Sequence, residues 1–159
     1  MQGRYEQFSF IVSVINRHIQ KIERDEMEKL GYKGAYAQYL VVMIRHPEGI
    51  TNARLCEFSD KNKAAVSRMI SEMEEKGLII RETTKNNTYN ARLKLTEKGK
   101  SVAKYVCAKA ELAVNAVGAE LTEEERRFFY STLLDITKKL QNLSIQGIST
   151  LENENKGDN

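Results

Sequence analysis

Tryptophan is absent from this chain, proline occurs once, and cysteine and histidine occur twice each among 159 residues. Each scarcity removes a class of explanation. Two cysteines, Cys56 and Cys107, cannot make the disulfide framework of a small secreted domain. The histidines stand in no ligand spacing with them, so no metal site is expected. No glycine-rich phosphate loop and no nucleophile–base pair can be read from the sequence, so neither catalytic residues nor a cofactor are expected. No apolar run approaches the roughly 18 residues of a membrane-spanning helix. The first residues, MQGRYEQFSF, lack the charged-then-apolar build of a signal peptide, and a cytoplasmic location is the expectation. A single proline leaves long helices uninterrupted.

What is present is amphipathic. Hydrophobic residues make up 41% and charged residues 30%, ordinary for a soluble protein rich in amphipathic helix. The length suits one domain, or two intimately shared subdomains, with a real core. Residues 50–100 hold eleven Lys/Arg against seven Asp/Glu, whereas residues 101–159 hold seven against nine. The positive excess thus sits in one stretch, as a phosphate-binding surface requires.

Residues 5–30 read as a first helix, with Phe8, Val12, Ile15, Ile19 and Ile22 at spacings of 4, 3, 4 and 3. Its charged end, Glu23 to Lys29, is expected to leave the core, and Gly31 to stop the helix. Gly34 to His46 reads as a second helix ended by Pro47. Thr51 is expected to cap a short third helix with Leu55 and Phe58 buried. Asn62 is expected to cap a fourth, with Val66, Met69, Ile70 and Met73 on one face and Gly77 as its stop.

Subtracting that core face leaves Asn62, Lys63, Ala64, Ser67, Arg68 and Ser71 on the outside. Small residues admit base edges, an arginine can donate twice to a guanine, and serine can bond a base or a phosphate. The acids Glu72, Glu74 and Glu75 begin only in the C-terminal half, and a recognition helix reads bases through its N-terminal residues. Such a face can equally be plain solvated surface, so the next stretch matters. Leu78 to Thr84 and Tyr89 to Leu95 read as strands, the second alternating Ala91, Leu93 and Leu95 against Asn90, Arg92 and Lys94. Lys85, Asn86, Asn87 and Thr88 form a basic, asparagine-rich tip suited to a minor groove or to phosphates. Thr51, Asn52, Arg54 and Lys61 flank the helix pair as further contacts.

Thr96 caps a fifth helix running to about Val117, and Thr122-Glu123-Glu124-Glu125 opens a sixth as a capping box. Phe129, Leu133, Ile136, Leu140 and Leu143 repeat the spacings of 4, 3, 4 and 3. Two terminal helices with matching seams suggest a pairing layer, and hence a homodimer. An intrachain bundle is the alternative.

In this order of parts the chain resembles the MarR family of bacterial and archaeal regulators. The resemblance rests on Ala65-Val66-Ser67-Arg68, Met73-Glu74-Glu75-Lys76-Gly77-Leu78-Ile79, Arg81, and Arg92 followed by Leu95-Thr96-Glu97-Lys98-Gly99. It covers roughly Phe8 to Leu143. Where the family's wing reads Asp-x-Arg, this chain has Asn90 before Arg92. The resemblance implies a mainly α fold with a small β-wing, a winged helix-turn-helix flanked by dimerisation helices. It implies dimerisation helices at 1–33 and 118–148, a winged helix at 34–100 and a connecting helix at 101–117, while the polar composition of 149–159 is what makes a disordered tail the expectation there. It implies binding of double-stranded DNA as a homodimer at a pseudo-palindromic operator, usually as a repressor. It further implies release by a small phenolic or aromatic anion.

Arg17, His18, Tyr36, Tyr39 and Met43 are the candidate pocket for such an effector, a cation with stacking phenols. Core packing is the alternative for each tyrosine. Phe8, Val12, Ile15 and Ile19 with Phe129, Leu133, Ile136 and Leu140 are the candidate dimer seam. A protein-interaction module is the reading from another class, and a thiol sensor using Cys56 or Cys107 is a variant of the first.

Overall fold

The computed structural model describes residues 3–59, 61–84 and 87–148, with the backbone alone at 83, 84 and 87–90. Helix α1 spans Arg4–Lys29, a 3-10 turn follows at Gly34–Tyr36, and α2 spans Ala37–Met43. Strand β1 is Ile50–Thr51, α3 is Asn52–Glu57 and α4 is Lys63–Glu75. Strands β2, Ile79–Thr84, and β3, Asn87–Leu95, precede α5, Glu97–Val117, and α6, Glu123–Gln146. The chain divides into two compact units, Met1–Val114 and Asn115–Asn159.

In the first unit the sheet order is β1-β3-β2, antiparallel throughout. Ile79 lies opposite Leu95 and Arg81 opposite Leu93, and Ile79, Leu93 and Leu95 are buried. Ile80, one residue out of phase, is exposed, as the two-residue period of a strand demands. The core joins Met27 of α1, Tyr36, Tyr39, Leu40 and Met43 around α2, Leu55 of α3, Val66, Ile70 and Met73 of α4, and Ala103 and Val106 of α5.

Helix ends follow local chemistry. Thr51 Oγ1 accepts from Arg54 N at 3.2 Å, and Asn62 Oδ1 accepts from Ala65 N at 2.9 Å. Gly77, at φ 69°, closes α4, with Leu78 N donating to Met73 O and Gly77 N to Glu74 O. That paired pattern needs a left-handed residue, which glycine adopts without a Cβ clash. Thr96 Oγ1 accepts from Gly99 N at 3.0 Å and donates to Gly77 O at 2.7 Å. One side chain therefore caps α5 and ties it to the stop of α4.

Four local expectations are corrected. The second helix is a 3-10 turn followed by α2, which ends at Met43 rather than His46. Pro47 restricts His46 before it, and the chain unwinds through turns first. Phe58 is 48% exposed because α3 ends at Glu57 and turns its ring outward, beneath the Arg54 guanidinium at 5.3 Å. The charged end of α1 does not leave the core, since Met27 within it is the helix's one fully buried residue. Strand β3 begins at Asn87, two residues before the expected Tyr89, because it pairs with Thr84 across the hairpin.

In the second unit, Thr122 and Glu125 form the expected capping box at the start of α6. No α6 residue is fully buried, and Phe129 and Leu140 are exposed.

Candidate nucleic-acid interface

Burial sorts α4 into two faces. Val66, Ile70 and Met73 are each 0% exposed, so the helix is seated by this stripe. Asn62, Lys63, Ala64, Arg68 and Ser71 are exposed on the opposite side, and Ser67 is half-buried. The first turn of α4 carries no acid. The exposed N-terminal surface is thus basic and small, and the helix dipole adds positive potential at the same end.

Ser67 is half-buried because Asn52 Nδ2 of α3 donates to its Oγ at 3.2 Å. Asn52 Oδ1 in turn accepts from Cys56 Sγ at 3.7 Å. Helices α3 and α4 are thereby latched at the level of the outer face. Lys61 is exposed, its amide N–H bonded to Ser59 Oγ at 3.2 Å. Arg54 is exposed and pairs with Glu57.

Two acids of α4 turn away from the N-terminal face and anchor the helix. Lys33 Nζ lies 2.6 Å from Glu72 Oε2, and Tyr36 Oη donates to the same oxygen at 3.0 Å. The Lys33 and Tyr36 bonds hold the Glu72 carboxyl below the usual carboxylate range. Burial first, then Glu72, pushes the Tyr36 phenol up to about 12. Glu74 accepts from Arg81 Nε at 3.0 and 2.9 Å, tying β2 to α4. These anchors join residues far apart in the chain, and periodicity alone offered no signal for them.

In the wing, Arg92 is exposed and its Nη1 donates to Glu48 O at 3.5 Å. Lys94 Nζ lies 2.7 Å from Glu82 Oε2. The tip residues Lys85 and Asn86 lie outside the described residues, as do the side chains of Asn87, Thr88 and Asn90.

The five pocket candidates are not brought to one cavity. Tyr36, Tyr39 and Met43 are buried in the core, with Tyr39 Oη 3.2 Å from Ser59 Oγ, whereas Arg17 and His18 are exposed on α1. Met43 alone of the five lines a groove with Ile44, Pro47, Ile80, Lys94 and Lys100. Cys56 and Cys107 are each half-buried, and burial pushes the Cys107 thiol up, away from the thiolate form. On α1, Phe8, Val12 and Ile15 are 40%, 44% and 49% exposed.

Residues 30–87 match the model of the MarR family. No curated protein matches the chain. Among solved structures it is similar to a MarR-family transcriptional regulator from Listeria monocytogenes complexed with 26mer DNA, at 25% identity. The TM-score is 0.71, over 86% of this chain and 92% of that one. It shares its fold with MarR itself, at 22% identity and TM-score 0.75 over 92% and 99%. It does so too with a MarR-family regulator from Silicibacter pomeroyi, at 22% and 0.70 over 84% and 90%. The seated α4, the latched α3 and the three-stranded sheet complete the pattern: the fold is a winged helix-turn-helix, similar to those of the MarR-family structures, and residues 30–87 carry the match to that family's model.

Proposed function

We propose that the chain is a DNA-binding transcriptional regulator acting as a homodimer on a pseudo-palindromic duplex. One observation carries the reading. The N-terminal outer face of α4 presents Lys63, Ala64, Arg68 and Ser71 to solvent, with no acid ahead of Glu72, while its other face is fully buried. Arg68 reads a base edge, with Lys63, Ala64, Ser67 and Ser71 beside it, and Lys61, Arg54 and the wing contact phosphates. The Listeria relative solved with DNA supports this use of the fold.

Pairing follows from the apolar seams. Phe8, Val12 and Ile15 of α1 are exposed, as are Phe129 and Leu140 of α6, and a second copy would cover them. Two readers in successive major grooves stand about 34 Å apart, which makes the operator a palindrome. By its resemblance the bound dimer is a repressor. A small aromatic anion preferring another spacing of the readers releases it.

The test is enrichment from a random-sequence duplex pool at near-physiological salt. The reading predicts a recovered motif with two inverted half-sites one helical turn apart. Recovery of no motif would favour a protein-interaction module instead.

A further inference from the structure

One hydroxyl on the outer face of α4 is half-spent inside the fold, and the half that is left decides what it reads. We propose that Asn52 of α3 is a positioning residue for Ser67: it fills an acceptor site of that hydroxyl, so that Ser67 meets the duplex as a hydrogen-bond donor. Asn52 Nδ2 donates to Ser67 Oγ at 3.2 Å. The other end of the same amide is also held, since Cys56 Sγ donates to Asn52 Oδ1 at 3.7 Å. A thiol donor on the carbonyl end turns the amino end toward Ser67. Thr51 supplies the cap of α3, its Oγ1 accepting from Arg54 N, which leaves the Asn52 side chain free to cross to α4.

The hydroxyl proton of Ser67 is the part left over. A hydroxyl within a helix often donates to the carbonyl of the preceding turn. Ser101 does so to Glu97 O at 2.9 Å, and Thr137 to Leu133 O at 2.8 Å. Among the described residues Ser67 makes no such donation, and its side-chain bond is the one it accepts from Asn52. By helical spacing Ser67 shares a face with Ala64, Arg68 and Ser71, all exposed. An O–H donor suits the acceptors of a major groove, O6 and N7 of guanine, N7 of adenine or O4 of thymine. It does not suit the amino group of cytosine, which itself donates. The base facing Ser67 is thus read with a bias against cytosine, and Asn52 sets that bias through Ser67.

The inference rests on the DNA-binding reading. Motifs are selected from the random duplex pool with the native chain, Asn52→Leu, Ser67→Ala and the double variant, and affinities are measured on the native motif. Asn52→Leu frees the Ser67 hydroxyl to turn back onto its own helix. It should relax the base preference at the same base pair of each half-site as Ser67→Ala does. It should weaken binding about 3- to 10-fold, the net worth of one neutral hydrogen bond. In the Ser67→Ala background it should cost nothing further. Asn52→Asp reverses the polarity, because a carboxylate only accepts and takes the Ser67 proton inward. The preference at that base pair should then swing toward cytosine, whatever the added charge costs on all duplexes alike. Relaxation at a different base pair, an unchanged preference, or an equal loss from Asn52→Leu in both backgrounds overturns the proposal. Thermal melts of the same four proteins need no DNA. Coupled losses of stability with no motif selected mean that the latch stands and the DNA-binding reading fails. Strictly additive losses overturn the latch, and the proposal with it, whether or not DNA binds.

Discussion

Ser67 lies in the middle of the outer face of α4, and its hydroxyl is already engaged by Asn52. In that bond its Oγ accepts, so the O–H can still donate to a base or a phosphate while the bond itself fixes α3 against α4. Arg68, exposed one position further along, is the side chain best placed to discriminate between bases. Lys61 stands just ahead of the Asn62 cap and is exposed, the geometry of a phosphate contact. Lys61→Ala should weaken binding to selected and unrelated duplexes alike, and should reduce the slope of log affinity against log salt by about one. Binding titrations at four or five salt concentrations measure this, and an unchanged slope would remove Lys61 from the interface.

At the scale of elements, α4 is held by its buried stripe, by the Asn52 latch and by two ionic anchors. The Glu72 anchor makes a pH prediction with a definite sign. Its carboxyl is depressed in the fold, so the stabilisation it gives is present above its unfolded value near 4.5. It is lost as pH falls through the lower folded value. Native protein should thus be more stable than Glu72→Gln at neutral pH, and the two should converge in acid below 4.5. Thermal melts from pH 7 to pH 3 check this. A difference that grows on acidification would reverse the sign.

The element ends were legible in the sequence because they are local. Thr51, Asn62, Gly77, Thr96 and Thr122 each act within a few residues, and each does what its type and position announce. The anchors were not legible, since Lys33 and Tyr36 meet Glu72 only when α4 packs beside the 3-10 turn. The two-residue strand β1 escaped notice for the same reason, as its pairing with Leu93 and Arg92 is a tertiary fact. Phe58 was misplaced because an apolar residue at a helix end can turn either way, and periodicity does not register that choice. The outer face of α4 could be read by subtraction, whereas the Asn52 bond that half-buries Ser67 could not.

At the scale of the molecule, the exposed seams of α1 and α6 are apolar surface that a single copy leaves in water. In the proposed dimer they are the means by which two readers acquire a fixed separation, and that separation turns two modest contacts into one specific site. Ile15→Glu places a charge in the α1 seam, where the native side chain is 49% exposed in one copy. It should shift sedimentation from dimer to monomer. It should also lower affinity for an inverted-repeat duplex by about a hundredfold or more, as the second binding event ceases to be intramolecular. A variant that remained dimeric with undiminished affinity would move the seam elsewhere.

The central claim is that the N-terminal outer face of α4 reads sequence. It is tested most directly by comparing native chain and Arg68→Ala on a selected duplex and on its scrambled counterpart, at matched salt. The account predicts that Arg68→Ala loses roughly 1–3 kcal/mol on the selected duplex and little on the scrambled one, with an unchanged melting temperature. Equal losses on both duplexes, or no loss on either, would contradict it.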